Sequence, residues 1–312
     1  MESKKQNIQK DSAGNGQKSS DAKKHIASDC VIENITLTNI GKILFPESGI
    51  TKWNVVEYYQ KVSMRMLHYI CDRVLSIVRC PGGVESACYY RKHPAGDKSV
   101  VTVPLVERSG KTADYFYIKD VQGLVSEVQM DTLEFHVWGS RVDALENPDV
   151  MVFDLDPDAG MAIGQVRQGV RDVKRVLDEY SLTSYLKTSG GKGYHIVIPL
   201  QETADWETFH TFAGNIAKTM EQRWPDRYTS NSRKEQRNHR IFVDWLRNAR
   251  GATTVAPYSI RAREGAPVSM PITWEELDTI TPRGITMAAA VERLNMPDPW
   301  ESFCENPQQL PH

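Results

Sequence analysis

The 312 residues carry 38 Lys and Arg against 40 Asp and Glu, a formal net charge of −2, with 40% hydrophobic residues, enough to bury one large domain or two lobes. Near-neutrality means that any affinity for nucleic acid must come from a local basic surface. Five cysteines (Cys30, Cys71, Cys80, Cys88 and Cys304) with no C-x-x-C pair predict reduced thiols and speak against a zinc site or a disulfide framework, no apolar run approaches the ~18 residues of a membrane span, and the N-terminus lacks the apolar segment of a signal peptide.

Residues 1–29 are rich in Lys, Ser, Gln, Asn and Gly and offer almost nothing to bury, so they read as a disordered polar tail. Its lysines suit a solvated leader at least as well as contact with a polyanion. Order is expected from about residue 31, where IENITLTN is strand-like. Thr51 then stands as the N-cap of a helix from 52 to about 70, with Trp53, Val56, Tyr59 and Met66 at roughly helical spacing. Lys42 and Lys52 flank that helix start, a place suited to an anion; a solvated basic face is the plainer reading. Strands are expected at 74–78, 87–90, 100–104, 115–118, 125–129 and 134–138. Within them the adjacent Tyr89 and Tyr90 cannot both face a core, and an exposed aromatic followed by Arg91, Lys92 and His93 has the composition of a base-stacking platform, with ordinary strand packing as the competitor.

The segment VMVFDLDPD, 150–158, is an apolar strand that runs into two carboxylates. Asp154 and Asp156 share a face, their Cα atoms about 6.6 Å apart at about 3.3 Å per residue, while Phe153 and Leu155 point the other way. Two like charges at the end of a core strand are costly without a cation, which points to a divalent-metal site over a capped turn. DLDPDAG is not an EF-hand loop, because Ala159 replaces the required glycine and Gln165 the bidentate glutamate.

A helix is expected over 166–180, from Val166, Val170, Val173, Leu177 and Tyr180. Next, SYLKTSGGKGYHIVIPL (184–200) reads as two strands joined by a glycine-rich turn. Ser189, Lys192 and His195 converge on it, favouring a phosphate cradle over simple turn chemistry; it does not fit a Walker A loop. A helix follows over 205–224, then a basic segment, 230–240, with Arg233, Lys234, Arg237 and Arg240, and RIFVDWLRN, a strand ending in Asp244. A third carboxylate at a strand end is what two ions about 3.5–4 Å apart require beyond a bridging pair. Arg261 and Arg263 lie in a polar, turn-rich stretch, Thr273 and Glu276 form a capping box for a short helix, and the chain is irregular from 297.

DLDPD, TSGGKGYH, IFVDWLRN and RGATTVAPYSIRAREG, in this order, resemble the polymerase domain of bacterial ATP-dependent DNA ligase D, of the archaeo-eukaryotic primase superfamily, over residues 31–303. The resemblance implies an α/β (α+β) fold, a primase-polymerase-like core of mixed and antiparallel sheets flanked by helices in two closely packed lobes. The catalytic domain would occupy 30–303, between the 1–29 tail and an irregular 304–312 tail. The implied activity is that of a nucleotidyltransferase, a polymerase that extends a primer 3′-hydroxyl at gaps and broken DNA ends bearing a 5′-phosphate, in non-homologous end joining, using NTP or dNTP with ribonucleotides preferred.

By the same resemblance Asp154, Asp156 and Asp244 hold two divalent metal ions, manganese preferred and magnesium usable. Ser189, Lys192, His195, Arg261 and His136 hold the incoming nucleotide, and Lys42 and Lys52 the 5′-phosphate. Tyr89 and Tyr90 stack on the template where the family usually has a Phe pair, and Arg237 contacts DNA from the basic loop. A second departure is His239 and Arg240, where Gly-Lys often precedes the position of Phe242. With no KxDG motif and no room for a phosphoesterase domain, the expected partners beside double-stranded DNA are a Ku-type end-binding protein and a separately supplied DNA ligase, in a bacterial or archaeal cytoplasm at the nucleoid. The rivals are a sugar-nucleotide glycosyltransferase, which leaves Asp244 and the basic loop unexplained, a primer-independent primase of the same superfamily, and a non-catalytic scaffold binding DNA ends.

Overall fold

The computed structural model describes residues 30–96, 98–107 and 109–311; the expected polar tail at 1–29 lies outside them. The chain opens with the hairpin β1 (Cys30–Ile32) and β2 (Ile35–Leu37), then a second small pair, β3 (Ile43–Phe45) and β4 (Ile50–Thr51). Thr51 caps α1 (Lys52–Ile70) by accepting from the Asn54 N–H, while the Asn54 side chain accepts from the Thr51 N–H, which satisfies two otherwise orphaned donors. After β5 (Leu75–Arg79), β6 (Tyr89–Arg91), β7 (Val101–Val106) and β8 (Thr112–Tyr117) come α2 (Val121–Gln129) and β9 (Thr132–Val137). The second half holds β10 (Val150–Pro157), α3 (Ile163–Glu179), β11 (Tyr185–Thr188), β12 (Tyr194–Pro199), α4 (Trp206–Arg223), β13 (Tyr228–Thr229), β14 (Ile241–Asp244), β15 (Thr254–Val255), β16 (Pro271–Ile272) and α5 (Met287–Glu292).

Two sheets organise these elements. A six-stranded sheet runs β13-β14-β10-β12-β11-β16, antiparallel except for the parallel β13–β14 edge, and a four-stranded sheet runs β15-β9-β5-β6. Alternation along β10 fixes which face is which. Met151, Phe153 and Leu155 are fully buried toward the layer where α3 and α4 pack on the sheet, leaving Asp154 and Asp156 on the opposite face. One apolar core runs through both sheets, so the two lobes are packed into one body. This is the mixed α+β architecture that the motifs imply. No helix among the described residues is long and apolar enough to cross a membrane.

Three expectations are corrected. The strand expected at 125–129 is helix α2. Leu124, Val125 and Val128 are buried at helical spacing, and Asp120 accepts the Gly123 N–H at 2.9 Å as its N-cap, so the period of 3.6 prevails over β-branching in a short apolar run. The thiols are not all reduced, because Cys80 and Cys88 form a disulfide. The β5–β6 register pairs Val78 with Tyr90 and Arg79 with Tyr89, and the next step of the same ladder sets Cys80 opposite Cys88, with Cα atoms 4.4 Å apart, within bonding reach. Finally, the helix expected after Thr273 is a single 3₁₀ turn, Glu275–Asp278, with Glu276 accepting the Thr273 N–H at 2.9 Å.

Candidate active site

The carboxylates are positioned by one central strand. β10 lies between β12 and β14, and the register sets Asp154 opposite His195 on one side and opposite Asp244 on the other. Directly opposed residues share a face, so the two acids and the imidazole converge, and Asp156 follows two residues along. Asp156 and Asp244 each have an arginine neighbour, and Asp154 has the imidazole of His195, which burial pushes down to about 4. His195 Nε2 lies 3.4 Å from Asp154, an Arg237 guanidinium nitrogen 3.5 Å from Asp156, and Arg247 Nε 3.1 Å from Asp244. Asp244 also accepts the Leu246 N–H at 3.0 Å.

Burial acts against all three charges. For Asp244 it outweighs the attraction of Arg247, and with repulsion from Asp154 and Asp156 it pushes the carboxyl up to about 6. Burial and the charge of Asp154 likewise raise Asp156, whereas at Asp154 burial is overcome by His195, Arg247 and Lys187, which hold the carboxyl low. Among the described residues no three or more His, Cys, Asp or Glu side chains are grouped so as to hold a metal ion as they stand. The chemistry of the donors nevertheless suits a hard divalent ion: three carboxylates on adjacent strands of one rigid sheet, Asp156 and Asp244 both raised partly by the charge of Asp154.

Facing the acids is the turn between β11 and β12. A Cβ at Gly193 would stand 2.2 Å from the Leu155 carbonyl oxygen, so only glycine lets β12 begin against β10 here. Gly190 has φ +63°, and a Cβ there would meet Arg261 Cγ at 2.6 Å, a left-handed turn beneath an arginine. The Ser189 hydroxyl holds the loop itself, donating to Gly193 O at 2.7 Å and accepting the Gly191 N–H at 3.0 Å. Arg261 donates to Ser189 O at 2.7 Å and Arg283 to Gly191 O at 3.1 Å. His195 Nδ1 is buried with no hydrogen-bond partner.

Many of these groups line a cleft of about 260 Å³ between the sheets; Asp244, beside Asp154 on β14, is not among its lining residues. Asp154, Asp156, Ser189, Lys192 and His195 come from the six-stranded side, Tyr90 and His136 from the four-stranded side, and Arg247, Arg261 and Arg263 from the connections. Other expected site residues are placed differently. Tyr89 and Tyr90 are 46% and 69% exposed, but only Tyr90, whose ring lies 5.5 Å from that of His136, borders the cleft. Arg237 reaches Asp156 over the ring of Phe242, 5.2 Å away. Lys42 and Lys52 meet at Asp131, at 2.8 and 3.1 Å, and do not border the cleft. Lys52 is 3% exposed and also donates to Gln129 O and Thr38 O.

Two buried charges escape a reading of the sequence. Glu134, two residues before His136 on β9, binds both His136 and Arg261. Although burial opposes it, these partners hold its carboxyl down to about 2, and burial pushes the His136 imidazolium down against the pull of Glu134. Lys187, opposite His195 in the β11–β12 ladder, donates to Val255 O at 2.9 Å and Ser269 Oγ at 2.7 Å, its ammonium driven well below the usual lysine range by burial. Same-face spacing with His136 is the one signal that singles out Glu134; Lys187 has none beyond being a charge inside a strand.

The family model described as the LigD primase-polymerase domain matches residues 51–300. The chain is 32% identical over 293 residues to the multifunctional non-homologous end joining protein LigD of Pseudomonas aeruginosa, covering 91% of this chain and 34% of that protein. It is 34% identical over 272 residues to the LigD of Mycobacterium bovis, covering 84% and 36%. The chain thus spans about a third of the length of these relatives. Among solved structures, the polymerase domain of Mycobacterium tuberculosis ligase D in complex with DNA superposes with a TM-score of 0.81 at 31% identity, covering 88% of this chain and 99% of that one.

Proposed function

We propose that this chain, which belongs to the LigD primase-polymerase domain family, adds nucleotides to a primer 3′-hydroxyl at gaps and broken DNA ends during non-homologous end joining. The observation that carries this reading is one cleft lined by the strand-borne Asp154 and Asp156, with Asp244 beside Asp154 on the neighbouring strand, and by a glycine loop with Lys192, Arg261 and Arg263. Acids and cations lining the same cleft suit a reaction in which a hydroxyl attacks a triphosphate.

Two divalent ions held by Asp154, Asp156 and Asp244, manganese or magnesium, would supply Lewis-acid activation of the 3′-hydroxyl and neutralise charge on the pyrophosphate. The protein's own groups do the rest. Lys192 and Arg261 bind and orient the triphosphate, Arg261 as a planar fork suited to phosphate oxygens. The fixed sheet holds the acids in place without reorganisation. Either NTP or dNTP would be accepted, ribonucleotides preferred, and a Ku-type end binder and a separate ligase would complete the repair.

The test is extension of a labelled primer across a short gap, with and without a downstream 5′-phosphate, in manganese and with either ribo- or deoxyribonucleotides. Phosphate-stimulated addition is expected. Tight DNA binding with no addition under any condition would replace the polymerase by an end-binding scaffold, and addition without a primer would make it a primase.

Two variants extend the test. Lys42 is the accessible member of its pair, at 29% side-chain exposure, and Lys52 remains to pair Asp131 when Lys42 is gone. Lys42→Ala is therefore expected to fold normally and to lower the stimulation by a 5′-phosphate about tenfold, the worth of one charge-assisted hydrogen bond; an unchanged ratio of extension rates would place the phosphate elsewhere. Tyr90→Ala is expected to weaken binding of a gapped template by about 1–3 kcal/mol, one base stack, and Tyr89→Ala by less, because Tyr89 does not border the cleft. Fluorescence anisotropy on the two variants decides this, and equal losses would mean that both rings stack.

A further inference from the structure

One buried acid behind the cleft lining has no part in the chemistry above. Glu134 is 5% exposed, and its oxygens are spent on neighbours that line or support the site. Oε2 accepts from His136 Nε2 at 2.8 Å and from Arg261 Nε at 3.0 Å, and Oε1 accepts the Ala262 N–H at 2.7 Å. Arg261 extends the link to the glycine loop through Ser189 O. Strand β9, the 261–262 segment and the loop therefore meet at one carboxylate. The alternation of β9 explains how: Glu134 and His136 share the cleft face, while Phe135 turns away against Tyr59, ring centroids 5.2 Å apart.

The chemistry of that contact fixes the imidazole. An ionised carboxylate only accepts hydrogen bonds, so the ring nitrogen facing it must carry the hydrogen. His136 is then protonated on Nε2, and in a neutral ring Nδ1 is a bare acceptor. An acceptor takes a hydrogen from a hydroxyl or amino group of a nucleoside and is repelled by phosphate oxygens. Arg261, which only donates, has the opposite preference.

We propose that Glu134 is the positioning residue of the nucleotide site, setting His136 as the Nε2–H tautomer that offers an acceptor to the incoming nucleoside and locking Arg261 against the glycine loop for the triphosphate. The assignment rests on the nucleotide-binding reading of the cleft. Glu134 shapes how substrate is held without touching the reacting atoms, so its removal acts on KM more than on kcat.

The first measurement is made on the wild-type chain without nucleotide: the side-chain nitrogen resonances of His136 at pH 7. An Nε2–H ring with unprotonated Nδ1 is expected, and an Nδ1–H ring or an imidazolium overturns the proposal. The second is Glu134→Gln, whose amide can either donate or accept and so releases the ring. The KM for nucleotide is expected to rise about tenfold or more, the loss of a charge-assisted hydrogen bond, with kcat within about threefold. In a His136→Ala, Arg261→Ala background the same substitution should add little, since residues acting through shared partners are not additive. A fall in thermal stability with KM unchanged, or full additivity, assigns Glu134 a purely structural role. If Glu134→Gln fails to fold because Arg261 loses its counter-charge, Glu134→Gln with Arg261→Gln removes both charges, and the wild-type ring assignment still decides. A wild type that shows the expected ring yet adds no nucleotide refutes the polymerase reading and leaves the Glu134 assignment of ring and arginine standing.

Discussion

Asp154→Ala is expected to lower the single-turnover rate of nucleotide addition on the order of 1,000-fold or more, while the Kd for a gapped duplex changes by no more than about threefold. The register makes this residue the centre of the acid cluster, since Asp154 faces His195 on β12 and Asp244 on β14 at once. Without its carboxylate, His195 loses the neighbour 3.4 Å from its Nε2, and the two remaining acids are left on different strands, where they cannot bridge a pair of ions. The cations that would grip DNA and triphosphate, Lys192, Arg261 and Arg263, belong to other segments of the cleft, so binding should survive. The result can fail in two informative ways. Substantial activity would mean that the acids do not carry the chemistry, and collapse of DNA binding in a folded variant would mean that the cluster orders the whole interface. Asp154→Asn keeps the shape and loses the charge, separating those cases from a simple packing defect.

The sequence reveals the geometry of β10 because a strand has a fixed period. VMVFDLDPD puts two acids on one face, and the closing Asp of IFVD arrives on the neighbouring strand at the register that opposes Asp154. The boundaries of α1 and α4 are also legible, since Thr51 and Asp205 are N-caps whose side chains accept the Asn54 and Thr208 N–H groups. Other features depend on partners far along the chain. Glu134 meets Arg261 across 127 positions, and Lys187 meets Ser269 across 82; nothing local distinguishes such charges from solvent-facing ones. The cysteine arithmetic fails for a related reason. It counts the whole chain, whereas the Cys80–Cys88 bond is decided by one hairpin register. Lys42 and Lys52 show the reverse case: they are close in sequence, but Asp131, which brings them together, sits in the turn after α2.

Asp244→Asn, expected to abolish catalysis as Asp154→Ala does, should at the same time make the metal-free protein more stable. Burial and the neighbouring acids raise this carboxyl from an ordinary 3.8 to about 6. A raised native pKa means that the folded state binds more protons than the unfolded chain between those values, so stability falls as pH rises through that window, and the full penalty is present at pH 7. A shift of that size corresponds to on the order of 1–3 kcal/mol, or a rise of a few degrees in Tm when the charge is removed. Two costs oppose the gain, and both are small. The asparagine oxygen can still accept the Leu246 N–H, and Arg247, the lost ion-pair partner, is 49% exposed, where an unpaired guanidinium is readily solvated. The gain should shrink toward zero at pH 4, where the native carboxyl is already neutral. Divalent manganese reverses the ranking: it should raise the wild-type Tm at pH 7, less at pH 5 where it must displace a proton, and leave the variant nearly unmoved. A metal-free Asp244→Asn that melts lower than wild type at pH 7 would show that Arg247 satisfies Asp244 fully, and that the acids of β10 and β14 are not held at a cost that a cation relieves.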